Sequence, residues 1–137
     1  MKYQETREKV LEIAVKCLEK GLIHGTAGNV SMRVPGEDVA IITPTRIPYD
    51  QLKPEQLPAV SLTGELLDGE FKPSSETPMH TAVYRPRKNL NGILHTHSMY
   101  ATVFPILEQE IPPMMPPSTP YAPVPVAPFH LPGSEEL

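Results

Sequence analysis

At 137 residues, with 39% hydrophobic and 20% charged side chains, the chain has material for one compact domain and not for two ordinary ones. A formal net charge of −4 with no long basic run excludes a binder of nucleic-acid phosphates or of an anionic membrane surface, and no apolar stretch approaches the ~20 residues of a membrane span. The charged start Met1-Lys2-Tyr3-Gln4-Glu5 has no signal-peptide core behind it, which points to the cytoplasm, and a single cysteine excludes a disulfide within the chain.

From Thr6 to Lys20 the apolar residues Val10, Ile13, Ala14, Cys17 and Leu18 recur at helical spacing, and Gly21 is a stop. Cys17 sits among Val15, Leu18 and Leu22 as a buried thiol rather than a nucleophile. Gly25-Thr26-Ala27-Gly28-Asn29 breaks regular structure before an alternating strand, Val30 to Val34. The cluster Pro35-Gly36-Glu37-Asp38 turns the chain into a second strand from Val39 to about Thr43, and Thr63-Gly64 joins the two arms of another hairpin, Ala59–Leu62 and Glu65–Leu67. Pro78 suits the first turn of a short helix capped among Ser74 to Thr77 and ended by Pro86. The cluster Arg85, Arg87 and Lys88 then reads as a solvated helix end. A strand ending in His95-Thr96-His97 follows, and Ser98 to Leu107 reads as a helix.

The last third is different. Ten prolines in the twenty-eight residues from Pro105 to Pro132 exclude a long helix or a central strand, leaving loop, edge or polyproline-like structure whose Met114, Met115, Tyr121, Val124, Val126 and Phe129 are able to pack against something. Pro132 to Leu137 looks like a helix start, with Ser134 as cap and Glu135 and Glu136 at the positive end of the dipole, so the expectation is a fold that uses a further C-terminal portion.

Chemistry concentrates at the histidine pair. Two imidazoles one residue apart on an extended segment share a face, with Cα atoms roughly 6.6 Å apart, so both rings can approach one cation. A divalent metal such as zinc usually takes three protein ligands and an open position when it catalyses, so the pair alone is an incomplete site. Glu76, just after Ser74 and Ser75 at a helix start, supplies an acid where hydroxyls and backbone N–H groups can hold an anion; the plainer alternative is an ordinary helix cap. Gly28-Asn29 and Thr43-Pro44-Thr45 add donors on turns.

Four stretches in order carry a resemblance: Gly25-Thr26-Ala27-Gly28-Asn29-Val30-Ser31, Ile42-Thr43-Pro44-Thr45-Arg46-Ile47-Pro48-Tyr49, Pro73-Ser74-Ser75-Glu76-Thr77-Pro78-Met79-His80 and His95-Thr96-His97-Ser98. Together the chain resembles the class II aldolase and adducin family, whose sugar members include the fuculose-phosphate aldolases and ribulose-phosphate 4-epimerases. The resemblance implies a single three-layer α/β/α domain over residues 1–137 with a predominantly antiparallel sheet, C-terminally incomplete, assembling as a homotetramer. It implies that His95 and His97 bind a catalytic divalent metal, most often Zn²⁺, that Glu76 lies at the metal and serves as proton-transfer base, and that Gly28, Asn29, Thr45, Arg46, Ser74 and Ser75 line a substrate phosphate pocket.

The implied activity is reversible aldol cleavage of a sugar phosphate through a metal-stabilised enediolate. A 4-epimerase or dehydratase, and a non-catalytic adducin-like or inactive short protein, are the alternatives; Glu rather than Asp at position 76 favours the aldolases. Three departures stand out. The family's third metal histidine, in a His-His-Gly or Asn-His-Gly segment, has no counterpart, and His130 is the only histidine left downstream. Arg46 stands where many relatives carry Gly, either offering a guanidinium to an anion or blocking close backbone approach, and Tyr121 is an unaligned candidate for the family's proton-donating tyrosine. His24 and His80 match positions that carry histidine in relatives and read as structural or supporting residues.

Overall fold

The computed structural model describes residues 1–131. Helix α1 (Gln4–Glu19) buries Val10, Ala14 and Cys17, three of the five positions picked out by helical spacing; Leu18 is half-buried and Ile13 is exposed. Gly21 ends it by adopting a φ of 68°. The Gly21 N–H then reaches the Leu18 carbonyl and the Leu22 N–H the Cys17 carbonyl, satisfying two acceptors that the last turn leaves open. Burial pushes the Cys17 thiol pKa up, as befits an inert core thiol.

Five strands form one sheet: β1 (Asn29–Arg33), β2 (Val39–Ile42), β3 (Ala59–Ser61), β4 (Leu66–Asp68) and β5 (Gly92–His95). Their order is β4-β3-β2-β1-β5 and every neighbouring pair is antiparallel. The layering follows from β2, which is buried at all four positions. Because successive side chains leave a strand on opposite faces, Val39 and Ile41 join a core with Val10, Ala14, Cys17 and Val30 under α1. Ala40 and Ile42 join Val60, Leu62 and Tyr84 on the other side, where Tyr84 ends helix α2 (Thr77–Tyr84). The result is the three-layer α/β/α arrangement expected from the sequence. Arg7 of α1, 1% exposed, crosses the layers to Asp68 of β4, with Nη2 2.5 Å from the carboxylate.

The chain departs from expectation after β5. Only Val103–Ile106 is helical (α3), where the sequence suggested Ser98 to Leu107. Pro105 has no N–H to give and restricts its predecessor, so the preceding residues settle into turns. The proline-rich stretch holds a 3-10 turn over Pro116–Tyr121 and an isolated antiparallel bridge between Ile111 and Val124. Met114, Tyr121 and Phe129 are largely exposed rather than packed. The helix start expected at Ser134 lies outside the described residues.

Candidate active site

Sheet register assembles the site at one end of the sheet. Asn29 opens β1 and pairs with His95, which closes β5. Immediately before Asn29 the chain passes so close to β5 that only glycine fits: Gly28 has a φ of 79°, and a Cβ on it would lie 2.6 Å from the His95 carbonyl oxygen and 3.1 Å from Ile23 Cγ1. The buried Tyr49 hydroxyl donates to the Gly28 carbonyl at 2.5 Å and fixes this turn.

The loop after β2 is stitched to the loop before α2. Ser74 N–H donates to the Thr43 carbonyl at 3.2 Å and Thr45 N–H to the Lys72 carbonyl at 3.0 Å, flanking a bridge between Pro44 and Pro73. Thr45 and Arg46 are thereby held beside Ser74 and Ser75. At the start of α2, Ser74 Oγ accepts the Glu76 N–H at 3.2 Å, which leaves the hydroxyl hydrogen available to an anion. Glu76 occupies the N-cap position, yet its side chain makes no capping bond. Its carboxylate is therefore not committed to the helix, against the plain cap reading.

All nine residues singled out from the sequence line one cleft of about 350 Å³: Gly28, Asn29, Thr45, Arg46, Ser74, Ser75, Glu76, His95 and His97, joined by Thr26, Ala27 and Pro44. His130 lines a different cavity, with Ile106 and Phe129, and is not brought to the histidine pair. His24 is exposed outside the cleft, and Tyr121 is 80% exposed. Arg46 has a φ of 62°, a left-handed conformation in which glycine is unstrained and any other residue costs roughly 1 kcal/mol.

The His95 and His97 rings stack with centroids 4.9 Å apart and planes 4° from parallel. Burial, then the neighbouring His97, lowers the His95 pKa, while Glu76 acts in the opposite sense; the ring is held neutral, the form that offers a lone pair. His95 Nδ1 is buried without a hydrogen-bond partner among the described residues. Two imidazoles beside an uncommitted carboxylate fit a divalent cation by donor type. In stacked parallel rings the in-plane lone pairs do not meet, and among the described residues no three His, Cys, Asp or Glu side chains are gathered to hold a metal. Chelation therefore requires at least one ring to turn.

The sequence marks His80 as a structural or supporting residue but does not reveal the buried polar cluster under the cleft to which it belongs. Ser31 of β1, with His80 and Tyr84 of α2, is buried and hydrogen-bonded: Ser31 Oγ lies 2.6 Å from His80 Nδ1 and 2.9 Å from Tyr84 Oη. Burial, and then the proximity of His95, lower the His80 pKa to about 4. The available signal was a small hydroxyl residue between Val30 and Met32, on a strand facing a helix with His and Tyr four residues apart.

Residues 8–137 match the class II aldolase and adducin N-terminal domain. The chain belongs to this family. Among class II aldolase relatives it is 38% identical over 112 residues to 5-deoxy-D-ribulose 1-phosphate aldolase of Bacillus thuringiensis serovar kurstaki, covering 82% of this chain and 53% of the relative. It superposes on L-fuculose 1-phosphate aldolase with a TM-score of 0.77 at 30% identity, covering 82% of this chain and 53% of that one. YgbL of Klebsiella pneumoniae, described as an aldolase, epimerase or decarboxylase, gives a TM-score of 0.87 at 33% identity over 98% of this chain and 67% of its own. The chain thus spans about half the length of the two named aldolases.

Proposed function

We propose that this class II aldolase family member takes part in reversible aldol cleavage of a sugar phosphate, giving a dihydroxyacetone-phosphate-like product and an aldehyde. One observation carries the reading: the uncommitted Glu76 carboxylate shares its cleft with the histidine pair and with the hydroxyl-bearing turns at Thr45, Ser74 and Ser75. In the condensation direction Glu76 removes the proton from the carbon beside the carbonyl of the dihydroxyacetone-phosphate-like partner, acting as general base. Ser74, Ser75, Thr45, Asn29 and the Gly28 turn hold the phosphate with neutral donors, which need no titration to bind an anion, and the Arg46 guanidinium adds charge. His95 and His97, once a ring has turned, would hold a divalent metal with Glu76, zinc by preference, and that metal would supply Lewis-acid stabilisation of the negative charge on the substrate oxygens.

A homotetramer in the cytoplasm belongs to the same proposal. Among the described residues no helix is long and apolar enough to cross a membrane. The description of YgbL as an aldolase, epimerase or decarboxylase supports the epimerase part of a second reading, a 4-epimerase or dehydratase of the same family acting on a pentose phosphate.

The test is to incubate the chain with zinc and 5-deoxyribulose 1-phosphate or fuculose 1-phosphate, following aldehyde release and solvent-deuterium exchange into dihydroxyacetone phosphate. Release and exchange together support the aldolase, and Glu76→Gln should lower exchange by about 10²–10⁴-fold. Isomerised sugar without aldehyde would favour the second reading. Zinc binding below about one equivalent with no exchange would sink the enzyme reading for this chain.

A further inference from the structure

Beneath the cleft, on the α2 face of the sheet, a line of buried polar atoms ends at the histidine pair. Tyr84 is 0% exposed, and Ser31 and His80 are each 1% exposed. Tyr84 Oη lies 3.1 Å from the Ser31 carbonyl oxygen and 2.9 Å from Ser31 Oγ, and Ser31 Oγ lies 2.6 Å from His80 Nδ1. Two buried nitrogens in this region have no partner among the described residues: His80 Nε2 and His95 Nδ1. Register places Ser31, which bonds to His80, beside His95. Ser31 pairs with Ile93 and Asn29 with His95, so Ser31 and His95 are diagonal neighbours on adjacent strands. Ile93 packs into the cluster containing Tyr84, and His95, two residues on, faces the same way.

Placing the Tyr84 hydroxyl hydrogen on the Ser31 carbonyl sets the direction of every other hydrogen bond along this line. A carbonyl oxygen only accepts, so the single Tyr84 hydroxyl hydrogen goes to the Ser31 carbonyl. Tyr84 Oη must then accept from the Ser31 hydroxyl, and Ser31 Oγ in turn must accept from His80 Nδ1–H. His80 is neutral, so a proton on Nδ1 leaves a bare lone pair on Nε2. The neighbouring nitrogen that can satisfy that lone pair is His95 Nδ1, provided that it carries the hydrogen. This direction is the same whether the last link is made directly by rotation of a ring or passes through one water.

We propose that Tyr84, Ser31 and His80 form a positioning relay that keeps the proton of His95 on Nδ1 and leaves its Nε2 lone pair free toward the cleft. Residues that ligate a metal through one imidazole nitrogen commonly donate a hydrogen bond from the other, and losing that support costs about 10–100-fold in metal affinity. The use of the free lone pair rests on the metal reading given above; the tautomer does not.

Long-range proton–nitrogen NMR correlations on the ¹⁵N-labelled, metal-free chain distinguish the two tautomers. His80 and His95 are both expected as Nδ1–H. Tyr84→Phe removes the acceptor of the Ser31 hydroxyl, which then turns to His80 Nδ1; His80 becomes the Nε2–H tautomer and His95 shifts toward Nε2–H. Affinity for zinc ion alone should fall about 10–100-fold in that variant. An Nε2–H His95 in the unsubstituted chain overturns the relay, as does a Tyr84→Phe chain with both tautomers unchanged. Should Tyr84→Phe fail to fold, the tautomers of the unsubstituted chain decide the matter alone. If those are as expected but zinc does not bind, the relay stands and the metal reading fails.

Discussion

Gly28 lies against His95 across the first rung of the β1–β5 ladder, with room for a hydrogen but not for a methyl group: the missing Cβ would stand 2.6 Å from the His95 carbonyl oxygen. The contact is backbone to backbone, so no side chain can swing away to relieve it. Gly28→Ala adds a positive-φ penalty to that clash and should destabilise the chain by about 2–4 kcal/mol in urea melts. It should also displace His95 and abolish tight zinc binding. A loss below about 1 kcal/mol with zinc binding intact would show that the two strands separate there at little cost.

Arg46 sits at a φ of 62° on the rim of the same cleft. In Arg46→Gly the left-handed strain is relieved while the unfolded chain gains freedom, two effects of opposite sign that leave stability within about 0.5 kcal/mol. If the guanidinium grips phosphate, KM for a ketose 1-phosphate should rise about tenfold with kcat little changed, the pattern of lost uniform binding. A fall in KM would show instead that the side chain obstructs the cleft.

His80 should make stability pH-dependent. Its pKa in the folded chain is lowered to about 4 from an ordinary 6.5, so between these values the unfolded chain binds a proton that the native chain refuses. Stability from this group is complete above pH 6.5 and is lost as pH falls through that window, by something on the order of 3 kcal/mol. Urea melts of the metal-free chain over this range should show the loss, and His80→Gln should flatten it. An equal slope in the variant would assign the effect to other groups.

Arg7 depends on Asp68. Its guanidinium is 1% exposed and its other protein contacts are long, 3.4 Å to the Glu55 carbonyl and 4.0 Å to Met1 Sδ. Asp68→Ala should therefore cost about 2 kcal/mol, toward the low end for a broken buried pair because the Asp68 side chain is 40% exposed. Thermal melts of Asp68→Ala and Arg7→Met check it; the methionine variant should be the less destabilised, since it leaves no stranded charge.

Much of this arrangement was legible before any coordinates. Helical spacing located α1 and its glycine stop, alternation located β1 and β2, and the turn residues around Gly28, Thr45 and Ser74 marked the cleft. What escaped depends on contacts between distant residues. Ser31 looks like a solvent-facing strand residue until α2 covers it, and nothing local announces that Asn29 and His95 share a rung. The shortness of α3 was a local matter misjudged: one proline outweighed the helical pattern on either side of it. His130 shows the opposite limit, since residue type alone could not say that it faces another cavity.

The position of β5 in the strand order has a dynamic consequence. Among the described residues this strand pairs only with β1, so the histidines hang from an edge secured by a single ladder. Edge ladders open at a lower free energy than the global transition, and fraying of this one dismantles the histidine pair while the β1–β2–β3 centre stays folded. Amide exchange at Ile93 and His95, the residues in hydrogen-bonded pairs with β1, therefore measures how often the site exists at all. Any cation gripping both rings must close that edge, converting binding energy into protection of the strand that carries it.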